Sequence, residues 1–80
     1  MTATPNTAAP TNLADALVAE IKRMNEVVIP AYQEIVAVAP MTALTVAIMR
    51  AEVDAAVRAL ADGDVLAMVQ LYASMKENDL

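Results

Sequence analysis

Eighty residues with a net charge of −5, no cysteine and no histidine exclude several common solutions at once. Disulfides and thiolate metal sites are ruled out, and the commonest metal ligand and general base are missing. Phosphate binding wants a basic patch, which an acidic chain with five dispersed basic residues does not offer.

Residues 1–12 carry no charge and consist of Thr, Ala, Pro and Asn behind Met1. Pro5 and Pro10 disfavour helix and bias the residues before them to extended or polyproline geometry. Residues 1–11 are read as an extended arm marked by Thr4, Pro5 and Pro10, with a disordered leader as the alternative.

Helix 1 is predicted to start at Thr11 or Asn12, both good N-caps, with Asp15 in the first turn favouring the helix dipole. Apolar residues recur at Leu17, Ile21, Met24, Val28, Ala31, Ile35 and Val38, a heptad seam that keeps phase through Pro30. That continuity predicts one long helix over about residues 12–38, kinked at Pro30. The rival is a break after Val28-Ile29, because β-branched residues before proline favour extended backbone.

Pro40 is expected to end helix 1 and to suit the first turn of helix 2, with Thr42 as a competing N-cap. Helix 2 is predicted over about 41–61, antiparallel to helix 1. Its buried stripe would be Val46, Met49, Val53, Val57 and Leu60, and its wet stripe Arg50, Asp54, Arg58 and Asp62. A third row, Leu44, Ile48, Ala51, Ala55 and Ala59, is apolar and mostly small, which allows close approach of a neighbour. The sole glycine, Gly63, lies between two aspartates. It fits the left-handed residue that ends helix 2, and Asp64 fits the cap of helix 3. Helix 3 would run over about 65–77 with Val65, Met68, Tyr72 and Met75 on one face, joined by Leu66 and Val69, before a frayed Asn78-Asp79-Leu80.

The fold class that follows is all-α: a small three-helix protein over residues 12–80 with an extended N-terminal arm over 1–11. The connection at Pro40 stands out, because no charge occurs from Ile35 to Met49. Bends normally face water, which their backbone groups need. An apolar bend implies a cover. The apolar fraction of 59% points the same way, against a norm of roughly 45–50%. Eighteen of those residues are alanine, and the heavier set is still 29 aliphatic, Met and Tyr side chains, more than one small core easily hides. Ile35, Val38, Pro40, Met41, Leu44 and Ile48 are therefore the expected interface residues. The uncharged run is 15 residues long and interrupted by Pro40, short of the ~20 a bilayer core requires. The N-terminus lacks the basic-then-apolar layout of a signal peptide.

Catalytic equipment is not legible. Ser74 is the only serine and has no histidine to activate it, and one glycine cannot build a phosphate cradle. Asp62-Gly63-Asp64 lacks the 12-residue ligand spacing of a calcium loop. Glu52, beside the alanine row, is read as solvated or paired at an interface rather than catalytic. Tyr32 and Tyr72 are read as rings at the edge of the core. Met24, Met49, Met68 and Met75 fall on core stripes, which leaves Met41 at the bend.

Residues 39–52, Ala-Pro-Met-Thr-Ala-Leu-Thr-Val-Ala-Ile-Met-Arg-Ala-Glu, resemble the second half of the helical hairpin in phage anti-CBASS proteins, through Pro40, Leu44, Ala47 and Glu52. Those proteins are helical oligomers that soak up cyclic nucleotide signals. The basic residue that family places just after the proline is Thr42 here, so anion binding does not carry over. The expected function is a non-enzymatic structural or assembly subunit, of a viral particle or another large complex; the alternative is a small inhibitory, cyclic-nucleotide-sequestering oligomer. Expected partners are proteins, whether copies of the chain or a scaffold, without nucleic acid, membrane, cofactor or small molecule. The expected setting is the soluble cell interior, or the virion.

Overall fold

The first helix starts where its capping chemistry lies. In the computed structural model, which describes residues 12–78, extended Asn12 accepts a hydrogen bond from the Asp15 amide at 2.8 Å. Helix α1 then spans Leu13–Arg23. The arm read over residues 1–11, with Thr4, Pro5 and Pro10, lies outside the described residues, as do Asp79 and Leu80.

Helical backbone continues without a break through a π-helical segment, Met24–Val28, into α2, Ile29–Ile35. The sequence expectation of one continuous helix across Pro30 is met, and the break after Val28-Ile29 does not occur. What the periodicity did not foresee is the wide turn. The Ile29 amide donates to the Met24 carbonyl, five residues back instead of four. Its physical reason lies next door. In a regular α-helix the ring of Pro30 crowds the carbonyl four residues earlier, and the missing N–H leaves that carbonyl without a donor. A π turn directly before the proline loosens that spacing.

The wide turn holds one residue more than an α-helical turn, so it rotates everything beyond it by about one position, some ~100°. The heptad seam therefore does not stay in phase. Leu17, Met24 and Val28 are fully buried, but downstream the core side passes to Ile29, Tyr32 and Val36. Ala31 is half-buried, while Ile35 and Val38 turn to the surface.

The helix also stops earlier than Pro40, at Ile35. The next helix, α3, spans Thr42–Asp62. Thr42 is its first helical residue and does not act as the cap; Met41 occupies that position and no side chain caps the end. Gly63 ends α3 as expected, in left-handed conformation at φ 66°. The Asp64 amide donates to Ala59 at 3.0 Å and the Gly63 amide to Leu60 at 3.3 Å, the two bonds of a Schellman motif. Asp64 then caps α4, Val65–Lys76, by accepting from the Ala67 amide at 3.1 Å. A Cβ added at Gly63 meets nothing within 4 Å, so Gly63→Ala isolates the backbone cost. The expected loss is about 1 kcal/mol, read as a lower denaturant midpoint with an unchanged slope.

Three helical units thus make an all-α body with no strand among the described residues. Helix α3 packs on α2 and α4, and α4 also packs on α1. The core is Leu17, Met24, Val28, Ile29, Val46, Met49, Val53, Ala56, Ala59, Met68 and Met75, with no buried polar or charged side chain among the described residues. The four methionines placed on core stripes are all buried. On α3 the stripe differs from the expectation. Ala56 is fully buried, whereas Val57 is 52% exposed and Leu60 is only partly covered. The α-helical continuation of Met49 and Val53 is Ala56, and alanine there lets a neighbouring helix approach closely. On α4 the covered side is Met68, Leu71, Tyr72 and Met75; Val65, Leu66 and Val69 are exposed.

Candidate functional site

Two sets of side chains fall outside the core and invite a functional reading. One is polar and ties the end of α4 to the other helices. The other is the apolar elbow between α2 and α3.

In the polar set, Arg23 projects from the last turn of α1 and reaches the C-terminal end of α4. Its guanidinium donates to the carbonyls of Met75 and Asn78, each at 2.9 Å. They lie at the end of α4, where helical carbonyls run short of amide donors, and that of Met75 also accepts from the Asn78 amide at 3.0 Å. Its Nε and Nη2 also bond Glu20 Oε1, at 3.2 and 2.9 Å, and so fix the fork. A cation at a helix C-terminus also meets the negative end of the dipole. On the other side of α4, the Ser74 hydroxyl donates to Glu52 Oε2, and the Asn78 side-chain amide donates to Glu52 Oε1 at 3.1 Å. Asn78 is therefore held, not frayed.

Glu52 is half-buried and paired with Ser74 and Asn78 of its own chain. Its partners lie 22 and 26 residues away, which no local pattern could reveal. The cluster has a hydroxyl and two carboxylates, and each of these side chains is hydrogen-bonded to another member. What it does chemically is hold α4 in place.

The apolar set comprises the expected interface residues. Met41 is 87% exposed and Val38 84%, and Ile35, Pro40, Leu44 and Ile48 are exposed as well. Leu44 and Ile48 are one turn apart on the same face of α3, where side chains four apart are neighbours. Met41 continues that line towards the bend.

The elbow closes several of its own hydrogen bonds. The amides of Val38 and Ala39 donate to Ile35, that of Thr42 to Ala39, that of Ala43 to Pro40 and that of Leu44 to Met41, at 2.8–3.2 Å. Pro40 has no amide to satisfy. With so many donors closed internally, the need for water that keeps most bends polar is reduced. Large exposed side chains collected in one place mark an interaction surface more often than isolated ones do.

Along the same face of α3 the side chains shrink. Leu44 and Ile48 give way to exposed Ala51 and half-buried Ala55. Beyond them a shallow groove of about 210 Å³ opens between α3 and α4, lined by Ala55, Arg58, Ala59, Asp62, Asp64, Ala67 and Leu71. It holds one cation beside two carboxylates. The wet stripe Arg50, Asp54, Arg58 and Asp62 is exposed as expected. Tyr32 and Tyr72 lie at the edge of the core, with Lys76 Nζ 5.5 Å from the Tyr72 ring centre. Among the described residues no cluster of carboxylates could hold a metal ion, and no helix is long and apolar enough to cross a membrane. Compared with known proteins, no family model matches the chain, and no curated protein and no solved structure matches it. The hairpin likeness of residues 39–52 thus rests on Pro40, Leu44, Ala47 and Glu52 alone.

Proposed function

We propose that this chain is a non-enzymatic structural or assembly subunit that associates through its apolar helix faces. In this reading the body is a hairpin in which α3 runs back antiparallel to the Pro30-kinked first helix. An extended arm, residues 1–11, lies along a neighbouring subunit, as would suit an accessory protein of a viral particle or of another large complex. The observation that carries the reading is the elbow: Val38, Met41, Leu44 and Ile48 stand exposed on and beside a bend that closes several of its own backbone bonds. Burying such side chains contributes about 1.5–3 kcal/mol each, enough to drive association.

Sedimentation of the purified chain tests the proposal. Association that strengthens with concentration is expected, and it should weaken when residues 1–11 are removed. A monomer at every concentration would overturn the assembly reading, and an unchanged oligomer without the arm would remove the arm from it. Calorimetry with a cyclic dinucleotide serves as control: measurable binding heat would move the chain to the sequestering class.

A further inference from the structure

The exposed face of α3 is graded in size, and the grading selects its occupant. Met41, Leu44 and Ile48 are large, whereas Ala51 and Ala55, which continue the same line, are small. A face with knobs at one end and hollows at the other complements itself when turned end for end. Self-complementarity of one patch is the requirement for a two-fold contact between identical chains. Resting on the assembly reading, we infer that the partner on this face is a second copy of the chain, with the two α3 helices paired antiparallel about a two-fold axis.

The register follows from the sizes. Setting Leu44 over Ala55 of the second copy places Ile48 over its Ala51. The same register sets Met41 opposite Arg58 of the second copy, at the mouth of the groove that Ala55, Ala59 and Leu71 help to line. Methionine is unbranched and polarisable, suited to filling an irregular hollow. Its 87% exposure leaves it free to enter. A parallel pairing would set Leu44 against Leu44 and Ala55 against Ala55, crowding one end and leaving a void at the other. Charge agrees with the choice. The register sets the uncharged stretch of one copy, which ends at Met49, over residues 51–58 of the other, so Glu52 and Asp54 of that segment meet no acid directly opposite.

Size complementarity can be separated from mere stickiness by enlarging the small end. Ala51 is exposed in the single chain, so Ala51→Leu leaves the fold intact, which circular dichroism checks. In the pair the enlarged side chain is driven into Ile48 of the second copy. The dissociation constant measured by sedimentation equilibrium should rise about tenfold or more, and the double variant Ile48→Ala with Ala51→Leu should bring it back. Association tightened by Ala51→Leu would overturn the inference.

Geometry gives a second readout. The chain has no cysteine, so an introduced thiol is unambiguous. A mixture of Leu44→Cys and Ala55→Cys chains should form the mixed disulfide on mild oxidation. Leu44→Cys alone should not cross-link, because its two copies would lie about 16 Å apart along the helix axis. Rapid cross-linking of Leu44→Cys alone would show a parallel contact and overturn the pairing. Association without the mixed disulfide would overturn the α3 pairing while the assembly reading stands; a monomer would overturn both.

Discussion

Leu44→Asp is expected to abolish association while leaving helical content and core stability unchanged. The side chain is 66% exposed in the single chain, so a carboxylate there meets water and costs the fold little. In a contact the same carboxylate loses its hydration against aliphatic neighbours. A penalty of about 3 kcal/mol corresponds to about a hundredfold in dissociation constant, and a symmetric contact carries the change twice. Met41→Asp should act the same way. Arg50→Ala is the contrasting control, since its side chain is exposed on the wet stripe of α3, outside the paired face, and its removal introduces no charge to be buried. Sedimentation velocity of the three variants at one concentration reads the difference. Equal and small changes in oligomer mass would count against a covered elbow.

Leu17→Ala and Met24→Ala should have the largest effects on folding. Both side chains are fully buried, in the part of the first helix where core packing begins. Truncating such a side chain removes its transfer free energy and leaves a cavity, together about 2–5 kcal/mol. A domain of this length holds about 4–12 kcal/mol in all, at ~0.05–0.15 kcal/mol per residue. Either variant should therefore lose much of the cooperative transition in urea, followed by far-ultraviolet circular dichroism. On the assembly reading, association would add to apparent stability by mass action, so the variants should be more sensitive to dilution than the parent chain. A shift of less than about 1 kcal/mol would mean that this side of α1 is not the core.

The cap chemistry was readable residue by residue. Asn12, Gly63 and Asp64 occupy the positions their side chains dictate, because a cap involves groups no more than a few residues apart. The core methionines were readable for a related reason: helical periodicity is a local property. Thr42 was misjudged as a cap because the turn around Pro40 supplies Ala39 and Pro40 carbonyls to the first amides, and no side chain is needed to start the helix.

Two features escaped the pattern for one common reason, that they depend on partners far along the chain. Glu52 and Ser74 meet across 22 residues, and Arg23 reaches Asn78 across 55. The choice between Ala56 and Val57 for the inside of α3 is likewise made by the helices packed on it. The phase of α2 is different in kind. Pro30 announces a disturbance, but a kinked α-helix and a π turn both relieve it, and only the wider turn shifts the face by one residue. That shift decides that Ile35 and Val38 lie outside.

The sequence by itself determined the all-α class, the caps at Asn12 and Asp64, the stop at Gly63 and an elbow with no charge from Ile35 to Met49. Each is encoded in neighbouring residues, where backbone geometry and side-chain chemistry act directly. Only the tertiary structure decided which apolar side chains the core would leave out. Covering a face takes another helix at the right distance and rotation, and here α4 covers one end of α3 and leaves the elbow bare.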